Sequence, residues 1–166
     1  GFTCLVGLNG AGKSTVLQAF DFVGHLASGD VDAWLKQREW KKADLTSKFL
    51  NRQLITFELE IDTPGAGRVK WSGSFNTALM RCTAETVTLA GGQQVLHIGE
   101  GELKVQAAGG KPAVVYPLRS MKYTGSTLSF IDGREVHGAL AALKHAASNL
   151  RSFDLLSPHS MPFRGR

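Results

Sequence analysis

The run GLNGAGKST, from Gly7 to Thr15, constrains the fold of this chain more than any other stretch. It satisfies the spacing G-x-x-x-x-G-K-[ST] at Gly7, Gly12, Lys13 and Ser14, and each residue type has a physical task there. Gly7, Gly10 and Gly12 permit main-chain conformations closed to residues with a Cβ, so that successive N–H groups can turn inward around an anion. A helix opening near Lys13 adds its unpaired N–H groups and the positive end of its dipole. The candidate nucleotide-binding residues are therefore Asn9, Gly10, Ala11, Gly12, Lys13, Ser14 and Thr15. Lys13 is the candidate catalytic cation on the β- and γ-phosphates, and the Ser14 hydroxyl is the candidate Mg²⁺ ligand. ATP and Mg²⁺ are the ligands this pattern predicts.

Such a loop requires a strand before it and a helix after it. Phe2 to Val6 (FTCLV) is a short apolar run of the kind found in a buried parallel strand. Thr15 to Leu26 places Val16, Leu17, Phe20, Val23 and Leu26 near helical spacing, which predicts one buried face. Beyond the helix, Ser28-Gly29-Asp30 breaks the pattern, and Asp30 is placed to cap a second short helix through Asp32, Trp34, Leu35 and Arg38.

From about Leu54 the period changes from helical to two. Ile55, Phe57, Leu59 and Ile61 alternate with Thr56, Glu58, Glu60 and Asp62, the signature of an antiparallel strand with one wet face. Pro64 to Gly67 reads as a turn and Arg68 to Phe75 as the returning strand. Met80 to Leu89, Gln94 to Ile98 and Leu103 to Ala107 continue the pattern between glycine pairs, which predicts a meander. Glu135 to Leu150 carries Val136, Leu140, Leu143, Ala147 and Leu150 at helical spacing, and Phe153 to Leu156 follows as a short apolar strand. Residues 1–28 thus form strand, loop and helix, residues 54–107 an antiparallel β-subdomain, and residues 133–158 a helix and returning strand. The fold class is α/β.

Nineteen Lys and Arg against fourteen Asp and Glu give a formal charge of +5, which tolerates a polyanionic partner without requiring one. The densest basic segment, Lys36 to Lys48, also contains Glu39 and Asp44 and reads as a solvated helical face. Cys4 and Cys82 are too few and too far apart for a disulfide framework or a zinc site. His25, His97, His137, His145 and His159 show no metal-ligand spacing, and Trp34 and Trp40 read as packing residues. No apolar stretch approaches the length of a membrane span and no signal peptide precedes the first strand, so the expected location is cytoplasmic, without a membrane partner.

The loop GLNGAGKST resembles those of the ABC-type and SMC/RecF/OLD-like ATPases, in which N-G-[AS]-G-K-[ST] is the usual form. An antiparallel β-subdomain between the loop helix and a later helical segment is also what the first lobe of that superfamily looks like. Phe20 to Trp40, Gly125 to Phe130 and Ser152 to Pro158 look like a bacterial group of AAA-family ATPases within it. The resemblance implies an ABC-ATPase-like first lobe, a nucleotide-sandwiched homodimer, ATP hydrolysis in the complete protein, and roles in DNA repair, chromosome handling or anti-phage defence with DNA or an effector protein as partner. It departs from the family in lacking the signature close to L-S-G-G, despite Leu128-Ser129 and Gly138. A strand bearing the second acidic Mg²⁺ contact, the catalytic Glu and the switch His are not identifiable, and are expected in a second lobe beyond Arg166. Phe153 to Arg164 holds no Gln at the family's Gln position, and Ser157 and His159 receive no role.

Two rival readings compete with an ATPase. Asp62-Thr63-Pro64-Gly65 matches the D-x-x-G element of GTPases, but strict alternation from Leu54 to Asp62 marks a half-wet strand, and no N-K-x-D element occurs. The other is a nucleotide-gated nucleic-acid clamp or scaffold with little turnover.

Overall fold

The computed structural model describes residues 6–46, 52–131 and 135–150. The strands expected at Phe2 to Val6 and Phe153 to Leu156 fall on residues outside that set, apart from Val6, as do Cys4, Ser157 and His159. Among the described residues the α-helices are α1 (Lys13–Ser28), α2 (Val31–Gln37) and α3 (Gly138–Ser148). The strands are β1 (Leu54–Thr63), β2 (Gly67–Asn76), β3 (Arg81–Leu89), β4 (Gln94–Gly99), β5 (Glu102–Val105) and β6 (Val114–Pro117). They form a six-stranded antiparallel sheet in sequence order, a meander in which every strand pairs with its chain neighbour. A sixth strand thus joins the five the sequence predicts.

The alternation in β1 sets the register of the sheet. Ile55, Leu59 and Ile61 stand opposite Phe75, Trp71 and Val69 of β2, and the charged residues between them face outward. A one-residue slip would turn Ile55, Phe57, Leu59 and Ile61 to water, which is why the pattern fixes the pairing. Gly73 lies opposite Phe57, and a Cβ there would come within 2.9 Å of the Phe57 ring, so the glycine admits that ring against Trp71 at 4.9 Å in an edge-on contact. On the wet face, Glu58 pairs with Lys70 and Asp62 with Arg68, exposed pairs of small energetic weight.

α1 and α3 pack against each other and on the sheet, with Phe22 of α1 meeting Phe75 edge-on at 5.4 Å. Gly24 makes the helix crossing close, since a Cβ there would run into the Leu150 carbonyl. The buried face of α1 differs from the expected stripe. Phe22, Val23, Leu26 and Ala27 are buried, but Val16, Leu17 and Phe20 are 43–48% exposed. The amphipathic period is present along the helix, yet only its second half lies against the described core.

Two buried carboxylates lock these layers. Asp21 of α1 accepts from Trp34 Nε1 at 2.7 Å and from Arg38 at 2.9 Å, joining α1 to α2 and its exit. The Arg38 guanidinium also lies 5.3 Å from both the Trp34 and Trp40 rings, and the two indoles meet edge-on, so both tryptophans are packing residues. Asp30 does not cap α2 with its side chain; it binds His25 Nδ1 at 2.7 Å instead. Glu85 of β3 is fully buried and accepts from Trp71 Nε1 at 2.9 Å, Thr127 N–H at 2.9 Å, Thr127 Oγ1 at 2.6 Å and the Ser126 hydroxyl. Burial pushes Glu85 above the ordinary carboxylate range, although the four donors pull the other way. Ser126 N–H in turn donates to the Leu26 carbonyl near the end of α1, so the sheet holds the helix through this segment.

The basic segment after α2 is not one helical face. α2 ends at Gln37, Glu39 takes a left-handed φ of 56°, and a 3₁₀ turn follows at Lys42–Leu45. Lys36, Lys41 and Lys42 are nonetheless exposed, as a solvated segment requires.

Candidate phosphate-binding loop

The loop enters α1 through two glycines that only glycine can hold without strain. Gly10 has φ 83° and Gly12 φ 84°, both left-handed, and Gly12 is the N-cap of α1. Gly7, expected to need the same freedom, takes no positive φ; a Cβ there would lie 3.4 Å from Ala11 Cβ, an ordinary contact. A turn from Ala11 N–H to the Leu8 carbonyl at 3.2 Å shapes the tip, and Asn9 and Ala11 are exposed on it.

The start of α1 is electrostatically open. Its N-cap supplies no side-chain acceptor, and the first turn contains no acidic residue. Among the described residues no main-chain carbonyl accepts from the N–H groups of Gly12, Lys13, Ser14 or Thr15. These donors and the positive end of the helix dipole are therefore left for an anion at the loop. Lys13 Nζ folds back over the loop and donates to the carbonyls of Gly7 and Leu8, each at 2.7 Å. Those carbonyl oxygens stand where a phosphate would compete for the ammonium, and a phosphate carries the larger negative charge.

The residues present fit a hydrated Mg²⁺ carried by phosphates. Ser14 is exposed, and its hydroxyl makes no hydrogen bond among the described residues, so it is available as a hard oxygen ligand. Among those residues no group of three His, Cys, Asp or Glu side chains gathers into a metal site of its own. The histidines serve local structure: His137 Nδ1 accepts from Ala139 N–H at the start of α3, and His97 Nδ1 lies 3.2 Å from Thr86 Oγ1. Cys82 is buried as a free thiol whose pKa burial raises well above the ordinary value.

The D-x-x-G candidate has a different setting. Asp62, next to last in β1, has its carboxylate on Arg68, and Pro64 to Ala66 turn the chain directly into β2, closed by Thr63 Oγ1 on the Gly67 carbonyl. It is a hairpin turn between antiparallel strands. A carboxylate committed across that hairpin is not presented to a phosphate loop by a parallel strand.

Among the described residues no helix is long and apolar enough to cross a membrane. No curated protein and no solved structure matches the chain. A family model does, over residues 2–66: that of an AAA domain of AbiEii-like toxins of Type IV TA systems. The matched stretch contains the whole loop, α1, α2 and β1, and it supports an AAA, P-loop ATPase-type domain with the nucleotide binding that such a domain implies.

Proposed function

We propose that this chain binds MgATP through Asn9 to Thr15 and forms the first lobe of an ABC/SMC-like ATPase head that works as a dimer. The observation that supports the nucleotide-binding part of this reading is the open N-terminus of α1 behind two left-handed glycines, with Lys13 over the loop. In this reading the main-chain N–H groups of the loop hold the phosphates in place, and Lys13 exchanges two neutral carbonyls for anionic oxygens. Ser14 orients the metal, which when bound neutralises charge developing on the transferred phosphoryl group. Activation of the attacking water is assigned to groups of a further lobe and of the opposing copy, because a phosphate loop alone binds the ground state about as well as the transition state. The toxin description of the matched family favours a defence setting over repair or chromosome handling.

The test is titration of a fluorescent ATP analogue with Mg²⁺ against the wild-type chain and Lys13→Ala. Loss of the ammonium removes charge-assisted bonds worth about 1.5–3 kcal/mol, or roughly tenfold to over a hundredfold in affinity. Equal affinity in the two proteins would remove the loop from the reading. Sedimentation of the protein with and without nucleotide tests the dimer separately.

A further inference from the structure

At the other end of α1 an open pocket of about 640 Å³ is walled by Leu79, Arg81, Lys122, Tyr123 and Phe130, with Ser28 and Gly29 at its floor. α1 is 16 residues long, so this pocket lies roughly 24 Å along the helix from the phosphate loop. The geometry points to a second binding site here, for a phosphate-bearing nucleotide unit, its phosphate held by Arg81 and Lys122 and its base against Phe130. That unit is either a free nucleotide or one residue of a single strand. The proposal is independent of the loop reading.

The cationic wall is built rather than incidental. Arg81 lies over the Tyr123 ring at 5.3 Å, and among the described residues neither Arg81 nor Lys122 pairs with a carboxylate. The Tyr123 hydroxyl is anchored on the Cys82 carbonyl at 2.5 Å and its pKa is pushed up to about 12 by burial, so the ring under the guanidinium stays neutral. Main-chain bonds fix the same corner: Cys82 N–H to Gly125 O at 2.7 Å and Gly125 N–H to Met80 O at 2.9 Å. A guanidinium placed over a ring in this way loses less freedom when it binds an oxyanion.

Strain marks the same wall. Met80, between the two lining residues Leu79 and Arg81, has a left-handed φ of 54° without being glycine. Such strain persists only where neighbours over-determine it, and here Asn76 Oδ1 takes both Ala78 and Leu79 N–H at 3.0 Å. The turn at Met80 joins Leu79 to Arg81, the first residue of β3, and both line the pocket. Phe130 is 60% and Leu79 55% exposed, apolar surfaces beside two cations, which is the pairing that binds a stacked base next to its phosphate.

The nearby C-terminus of α1 opposes an anion only weakly. Three of its late carbonyls are already bonded, His25 and Leu26 by Gly29 N–H, Leu26 also by Ser126 N–H, and Gly24 by Ser28 Oγ. A helix end carries about half a unit of negative charge, against two full positive charges on the wall.

The probes are AMP, followed by calorimetry, and an end-labelled oligothymidylate of about ten nucleotides, followed by fluorescence anisotropy. Both are titrated onto the Lys13→Ala chain, which weakens the loop about tenfold or more, and onto the same chain with Arg81→Gln/Lys122→Gln or with Phe130→Ala. The charge variant is expected to weaken binding at least about tenfold, and Phe130→Ala by about fivefold or more. A response with AMP identifies a free-nucleotide site, and a response with the oligonucleotide alone identifies a strand site. Thermal melting checks the fold, and Lys122→Gln/Phe130→Ala, both exposed, replaces the charge variant if Arg81 is needed for folding. Binding of neither probe below about 1 mM, or binding that survives either variant unchanged, would overturn the site.

Discussion

Replacing Glu85 with Gln changes almost no volume but reverses the hydrogen-bonding sense of one carboxyl position, and that makes it a sharp test of the buried latch. Both oxygens act as acceptors: Oε1 receives Trp71 N–H and the Ser126 hydroxyl, Oε2 the main-chain N–H and hydroxyl of Thr127. A glutamine amide, whichever way it flips, points its NH₂ at one of these pairs. Each pair contains one hydroxyl that can rotate and one N–H that cannot. One fixed, buried donor is therefore left facing another donor, and the second bond of that pair is weakened. At about 1–3 kcal/mol for the orphaned donor and about 1 kcal/mol for the weakened bond, less what is regained by removing a buried charge, the net loss is about 2–3 kcal/mol.

Equilibrium denaturation of both proteins, read by tryptophan fluorescence, measures it. The pH dependence carries the sign. Because the folded carboxyl has a raised pKa, the folded state binds the proton more tightly, and wild-type stability from this group falls as pH rises from the ordinary carboxylate range through the raised value. The Glu85→Gln variant has no such slope, so its deficit is largest at low pH and shrinks upward, by at most about 1.4 kcal/mol per pH unit. A variant within about 0.5 kcal/mol of wild type, or a deficit that grows with pH, would refute the latch.

Gly125→Ala is expected to destabilise by about 2–4 kcal/mol, since φ is 73° and a Cβ would sit 2.6 Å from the Leu26 carbonyl, whereas Gly92→Ala, in open space at φ 83°, loses only about 1–2 kcal/mol; matching melting temperatures for the two would contradict this. Gly12→Ala meets no atom within 4 Å but must hold a left-handed φ, so it should weaken nucleotide binding about fivefold to thirtyfold while moving the melt little. Asp62→Ala should leave ATP binding within about twofold of wild type, its carboxylate being committed to Arg68 at 63–76% exposure; a GTP preference lost in that variant would restore the GTPase reading. Asp21→Ala strips the acceptor from Trp34 N–H and one partner from Arg38, and should lower stability by about 2–4 kcal/mol in a denaturant titration.

Some elements announce themselves in the sequence for reasons of period. β1 is legible because its outer face is wet and its inner face apolar, and the loop because its glycines and lysine answer to one ligand chemistry. β6 is not, because Val114 to Pro117 is short, ends on proline and is exposed along its whole length, so no burial alternation marks it. The stripe on α1 reads as one buried face, but periodicity says that a face is apolar and not what lies against it. Glu85 left a signal: in a strand it is in phase with Val87 and Leu89, inward-facing positions where a carboxylate needs donors. Those donors arrive from Ser126 and Thr127, forty-one and forty-two residues on, which local pattern cannot supply. The pocket wall at Arg81 is of the same kind, assembled by a bridge to Gly125.

The sequential order of the sheet has a kinetic meaning. Every pairing from β1 to β6 joins neighbours in the chain, so the sheet can grow by successive hairpins, each closing a short loop. α1 has no such local route. Its contact with the sheet joins Phe22 to Phe75, its hydrogen-bonded tie joins Leu26 to Ser126, and its partner α3 begins at Gly138, all far along the chain from its own turns. The helix that carries the phosphate loop is therefore expected to be seated after the meander has formed. Nucleotide-binding competence should therefore be the last property to appear on refolding, later than the hairpin amides become protected from exchange.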